Sequence, residues 1–219
     1  MTDFEQMKEA VVRGDPQACA ALAQEVVASG GDPMKAIQDG FAPGMVAVGK
    51  GFEDGTLFLP EMMLAAAAMQ AGVDVLEKGM TADQAAETHA GKVVLATIQG
   101  DVHDIGKNIL RILMSAGGFD VVDLGRDVRV ATIIAEAERE KADIIAVSAL
   151  MTTTMMYMKE LIEELDEAGV RNSYKVMVGG APVTEDWARE IGADGYARDA
   201  FLGVQAAKHL LLARKESAK

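Results

Sequence analysis

The chain has 219 residues, half of them apolar and a quarter charged, with a single cysteine and a formal net charge of −13. Such a length suits two small domains around packed cores, and Cys19 alone rules out a disulfide scaffold or an all-cysteine metal site and fits a reducing compartment. The acidity argues against non-specific binding to nucleic acid or to an anionic membrane.

The N-terminus, Met1 to Glu9, is polar and acidic where a signal peptide would be basic and then apolar, and no apolar run reads as membrane-spanning. A cytoplasmic protein is the expectation. The first part of the chain reads as helices. Asp3 to Val12 forms one, and Asp15-Pro16 opens a second with Asp as N-cap and Pro at the first helical position. Asp32-Pro33 repeats that signal and opens a third. A glycine-rich stretch broken by Pro43 and running through Gly49, Gly51 and Gly55 follows, and is expected to interrupt the helices. Pro60 starts a fourth helix, Glu61 to Lys78, with Gly79 as its stop. The chain is expected to divide near residues 80 to 91, giving domains 1–88 and 89–219. Up to Thr88 it carries 5 basic and 14 acidic residues, and beyond it 16 and 20, so most of the acidity lies on the helical part.

The second part alternates strand and helix. Lys92 to Gln99 is a continuous apolar run rich in β-branched residues, as a buried parallel strand requires. Four further strands are expected at Phe119–Leu124, Ile144–Ser148, Lys175–Val178 and Asp194–Ala197. Helices are expected at Gly106–Ala116, Val130–Glu140, Thr152–Ala168, Thr184–Ile191 and Asp199–Arg214. Five β-α units imply a doubly wound parallel sheet, most simply of flavodoxin-like order, with ligands bound beyond the carboxyl ends of its strands. The loops of interest are therefore 99–106, 124–129, 148–154, 179–183 and 197–200.

The first of these loops holds Gly100, Asp101, Val102, His103, Asp104, Ile105 and Gly106. Asp101 lies two residues before His103, close enough for carboxylate and imidazole to meet; that pairing fixes the tautomer and makes the other ring nitrogen a better donor. Gly106 removes a side chain where a helix begins, so a bulky ligand could approach the backbone. On chemistry alone, a surface loop whose Asp and His cap the helix explains these residues equally well.

The pattern Asp-x-His-x-x-Gly after a first buried strand (Asp101, His103, Gly106) resembles the signature of cobalamin-binding domains. Ser148-Ala149-Leu150 resembles the family's Ser-x-Leu after the third strand, and Gly179-Gly180 its Gly-Gly after the fourth. The helical part, in Gly51-Phe52-Glu53-Asp54-Gly55 and Leu59-Pro60-Glu61, is similar to the cap of methionine-synthase-type cobalamin proteins. Taken over nearly the whole chain, the resemblance is to the corrinoid proteins of methylamine, methanol and related methyltransferase systems. It implies a four-helix cap bundle before the α/β domain.

The resemblance also implies roles. His103 would be the lower axial ligand of cobalt, Asp101 would hydrogen-bond its other nitrogen, and Thr154 would supply the hydroxyl of the same relay. Gly100, Val102, Asp104, Ile105, Gly106 and Leu150 would border the cofactor. Ser148 and Thr152 would contact its nucleotide tail, Gly179 and Gly180 would leave room for that tail, and Ala200 with neighbouring Tyr196 and Ala197 would line it. Phe52, Leu59 and Met62 would lie over the upper face. The implied cofactor is cobalamin or a related corrinoid, cycling between methylcobalamin and cob(I)alamin. The implied function is a methyl carrier that is not a complete catalyst alone. Its partners would be a donor-specific methyltransferase, an acceptor methyltransferase and a reductive-activation protein, with no nucleic acid and no membrane. An adenosylcobalamin mutase subunit is the alternative that residues 1–88 argue against. A cobalamin-dependent sensor would need a signalling module that the acidic helical part does not offer.

The remaining candidates read as ordinary. His89 and His209 match no motif, Cys19 reads as a small buried residue, and Met151, Met155, Met156 and Met158 read as helical core. Of the adjacent pair Met62 and Met63, one is expected in the core and the other facing the cofactor.

Overall fold

The computed structural model describes residues 3–80 and 90–217. Two compact units emerge, Met1–His89 and Ala90–Lys219. The boundary expected at residues 88 and 89, and His89 itself, lie outside the described residues.

The helical unit begins with three aspartate caps. Asp3 accepts from Gln6 N ahead of α1 (Phe4–Val12), Asp15 from Gln17 N and Ala18 N ahead of α2 (Pro16–Ala28), and Asp32 from Met34 N and Lys35 N ahead of α3 (Pro33–Lys35). Each carboxylate satisfies backbone donors that the first helical turn leaves unpaired, worth about 1 kcal/mol per cap.

The glycine-rich stretch is where expectation and structure part. Instead of an interruption, the chain runs from α3 through a π-helical turn, Ala36–Phe41, straight into α4 (Ala42–Glu53). The amide of Ala42 bonds back to Ile37 O. This wider turn immediately before Pro43 accommodates a ring that would collide with a carbonyl in a regular helix. The glycines serve packing. A Cβ on Gly44 would stand 2.6 Å from Val11 Cβ, and one on Gly72 would stand 2.6 Å from Phe41 Cζ. Absent side chains let α4 close on α1, and α5 (Leu59–Glu77) close on the π turn. Close packing offsets the helix-propensity cost of glycine, about 1 kcal/mol each.

Helix α5 is 19 residues long and is apolar enough to cross a membrane by length and composition alone. It buries Met62, Ala65, Ala66, Ala68, Met69, Gly72 and Leu76, and it packs on α2 and α4. Its start is fixed by Glu61, which accepts from Phe58 N at 3.0 Å.

The α/β unit follows the expected alternation. Its strands are β1 (Gly91–Thr97), β2 (Phe119–Asp123), β3 (Ile144–Ser148), β4 (Lys175–Gly179) and β5 (Gly195–Ala197). Its helices are α6 (Ile105–Ala116), α7 (Val130–Glu140), α8 (Thr152–Glu167), α9 (Glu185–Glu190) and α10 (Ala200–Ser217). All strand pairs are parallel, in the order β2-β1-β3-β4-β5. Alternate residues serve the two faces. Val94, Ala96, Ile145, Val147, Val176 and Val178 join α7, α8 and α9 in one core layer. Val93, Leu95, Ile144, Ala146 and Met177 join α6 and α10 in the other. Burial on both faces is why these strands read as unbroken apolar runs. The connections leave β1 and β3 toward opposite faces, so their carboxyl ends flank a topological switch point where a crevice opens.

Candidate functional site

The crevice lies at the carboxyl ends of β1, β3, β4 and β5 and encloses about 450 Å³. Its wall includes Val102, His103, Asp104, Ile105, Gly106, Ser148, Leu150, Gly179, Gly180 and Ala200. Ten of the residues singled out from sequence thus meet at one place, although they come from four loops spread over some hundred residues of chain.

Behind His103 stands Asp101, fully buried. Its Oδ1 accepts from His103 N at 3.0 Å and meets His103 Nδ1 at 2.7 Å. Its Oδ2 accepts from Thr154 Oγ1 at 2.7 Å, from Leu150 N at 2.7 Å and from Met151 N at 3.2 Å. Thr154 is placed for this by the first turn of α8, where its own amide bonds back to Met151 O. Burial by itself would raise the Asp101 pKa. The amide of His103, the Thr154 hydroxyl, the Leu150 amide and the His103 ring override it and hold the carboxyl well below the usual carboxylate range. At neutral pH Asp101 is therefore an anion, and its partner on the imidazole is Nδ1–H. Nε2 is the other nitrogen of this ring, which is 48% exposed.

The chain's approach to the imidazole is equally fixed. Thr97 Oγ1 donates to His103 O at 3.2 Å and stands 3.3 Å from Ser148 Oγ, tying β1 and β3 together below the loop. Around the ring, Val102, Ile105 and Leu150 form an apolar rim that is open to solvent, Ile105 being 78% exposed. Gly106 has open space where a Cβ would be. At the far side of the crevice Gly180 has φ +119°, and a Cβ there would overlap Ala149 O, while one on Gly179 would stand 2.9 Å from Ala197 O. Only glycine keeps this wall thin.

These features test whether a corrinoid fits. An imidazole nitrogen backed by a buried carboxylate is a suitable ligand for a metal that arrives inside its own macrocycle. A broad apolar rim suits a large flat ligand face. A thin-walled crevice beside it leaves room for an appended tail. The residues present fit the group. Among the described residues there is no cluster of three or more His, Cys, Asp or Glu side chains to hold a bare metal ion.

Several expected residues fall elsewhere. Thr152 is exposed at the start of α8, outside the crevice wall. Tyr196 packs against the α7–α9 core layer, because alternation along the short β5 turns Ala197, not Tyr196, to the crevice. Gly100 also stands behind the wall, its amide donating to Asp127 Oδ1 at 2.7 Å. In the helical unit Phe52 and Leu59 are half-buried, but Met62 is 1% exposed and belongs to that unit's core, leaving Met63 as the exposed member of the pair. Sequence reasoning passed over Met177, Leu110 and Lys107, which also line the crevice. Met177 could have been found from the alternation of β4, which puts it on the same face as Leu95 and Ala146. Lys107 carries no signal beyond its place in the first turn of α6.

Comparison with known proteins agrees with the geometry. Two models described as B12 binding domains match, one over residues 91–205 and the other over residues 3–77. Trimethylamine corrinoid protein 1 of Methanosarcina mazei is 47% identical over 205 residues, spanning 94% of this chain and 95% of that protein. Dimethylamine corrinoid protein 2 of the same organism is 50% identical over 181 residues, spanning 83% and 84%. The crystal structure of the methanol:cobalamin methyltransferase complex from Methanosarcina barkeri superposes with a TM-score of 0.81 at 32% identity, covering 95% of this chain and 79% of that one.

Proposed function

This chain belongs to the cobalamin-binding corrinoid proteins of methylamine methyltransferase systems, a family of methyl carriers, and on that premise we propose that its methyl donor is a methylated amine. Names of relatives similar over most of their length support an amine, tertiary or secondary, over a quaternary amine, methanol or a methoxy compound. The methyl group would arrive through a donor-specific methyltransferase and leave through a second one acting on a thiol or a tetrahydrofolate-type acceptor. A reductive-activation protein would restore the carrier after oxidation. When bound, the corrinoid supplies the cobalt that accepts and releases the methyl group.

The chain's own residues hold and tune that group. The observation that carries the reading is the buried Asp101 anion, gripped from Thr154, Leu150 and Met151 and gripping His103 Nδ1 in turn. His103 Nε2 would hold the cobalt. Asp101 holds the ring in one tautomer and one orientation, and Thr154 holds Asp101. Val102, Ile105 and Leu150 would exclude water beneath the macrocycle. Ser148, Gly179, Gly180, Ala197 and Ala200 would surround the tail.

The test is a donor panel. The protein is reconstituted with a corrinoid, reduced, and offered in turn the methyltransferases for trimethylamine, dimethylamine, monomethylamine and methanol with their substrates. Methylation seen by absorbance with at least one amine enzyme is the expected result. Methylation with the methanol enzyme alone would overturn the choice of donor.

A further inference from the structure

We propose that the β2–α7 turn, acting through Asp127, is the brace that sets the position of the axial histidine. This rests on His103 being the ligand. Asp127 has φ +54°, a left-handed conformation that costs a non-glycine residue about 1 kcal/mol or more. Only one other non-glycine residue described shares that region, Lys141, which ends helix α7. At Asp127 the strained geometry makes two bonds to the histidine loop. Its Oδ1 accepts from Gly100 N at 2.7 Å, and its own amide donates to Asp101 O at 2.9 Å. Gly100 is itself left-handed, at φ +80°, so two unusual backbone conformations face each other across a reciprocal pair.

A second tether lies on the other side of His103, from the end of β2 to the first turn of α6. Lys107, 1% exposed at the side chain, places Nζ 2.6 Å from both carboxylate oxygens of Asp123, and Asp123 Oδ1 also accepts from Gly125 N at 2.9 Å. His103 thus sits midway between tethers at residues 100–101 and 107, both anchored in residues 123–127. The Asp101 carboxylate is held from the β3–α8 loop and α8, and its main-chain oxygen from this turn. Asp127 itself is not part of the crevice wall, which makes it a positioning residue acting through Gly100 and Asp101.

Three variants separate bond from backbone. Asp127→Asn keeps the acceptor oxygen and tolerates the left-handed conformation. Asp127→Gly keeps the conformation and loses the acceptor. His103→Ala removes the ligand. Three readouts are taken: amide hydrogen exchange at Gly100 in the protein without corrinoid, corrinoid Kd, and the fraction of bound cofactor showing a histidine-ligated spectrum. The expected result for Asp127→Gly is faster exchange at Gly100, a Kd weakened about tenfold, the low end for outer-shell partners of a metal ligand, and a reduced histidine-ligated fraction. Asp127→Asn should restore all three. If exchange quickens while Kd and spectrum stay as in the unmodified protein, the bond exists but positions nothing, and the proposal fails. It fails equally if Gly100 exchange does not change. If His103→Ala leaves the spectrum unaltered, the ligand assignment fails instead, and Asp127 is not the cause.

Discussion

The two units fasten their polar groups in opposite ways. In the helical unit the bonds at Asp3, Asp15, Asp32, Thr56 and Glu61 all span five residues or fewer and serve to begin or end helices. In the α/β unit the decisive bonds are long-range: Asp101 to Thr154 spans 53 residues, Gly100 to Asp127 spans 27, and Lys92 to Asp143 spans 51. Local bonds stabilise an element wherever it goes. Long-range bonds fix elements relative to one another, and a site that must hold an imidazole in place needs the second kind.

Perturbing each kind of contact sharpens that contrast. The largest effect is expected from Asp101→Ala, which strips Thr154, Leu150 and Met151 of a buried acceptor. A loss of about 3 kcal/mol in urea denaturation should accompany corrinoid affinity lower by about 10–100-fold; a stable variant with native affinity would make the long-range network ornamental. Gly180→Ala should cost about 3 kcal/mol, through its left-handed φ and the overlap with Ala149 O. In the helical unit, Gly72→Ala should cost about 2 kcal/mol by pressing on Phe41, and the histidine-ligated spectrum of bound corrinoid should stay unchanged. A changed spectrum would show that packing in the helical unit reaches the histidine.

Asp194 carries a smaller, pH-dependent term at the opposite end of the sheet. Burial would raise its pKa, but Val176 N, Arg171 and Lys175 override it and hold the carboxyl below its ordinary value. A depressed carboxylate stabilises the fold above its unfolded pKa of about 3.9, and that contribution disappears as pH falls through the folded value. Asp194→Asn should therefore cost about 1–2 kcal/mol at pH 7, with the difference from the unmodified protein shrinking below pH ~4. A difference independent of pH would rule out the carboxylate as its source. The smallest effect concerns Cys19, whose thiol is pushed up to about 11 by burial. Alkylation at pH 8 should be slow in the folded protein and rapid in urea.

The same contrast explains what could be read from sequence. Aspartate-proline caps act within three residues, so the starts of α2 and α3 were legible. Alternation and apolar runs gave the strands and their order, and the loop motifs brought ten crevice residues to one place. The stretch through Gly49 and Gly51 misled because a glycine that allows close packing, as Gly51 does against Leu57, looks, in one dimension, like a glycine that ends a helix. Met62 and Tyr196 were misplaced because the face a side chain takes depends on exact register within its element. Asp127 gave no signal, since its role depends on a backbone conformation and on a partner 27 residues away.

The central claim is that the Asp101-backed imidazole of His103 is the metal ligand. The most direct test is the absorption spectrum of corrinoid bound to the unmodified protein and to His103→Ala. The account predicts a histidine-ligated, base-off spectrum in the first and its loss in the second. Identical spectra from the two proteins would contradict it.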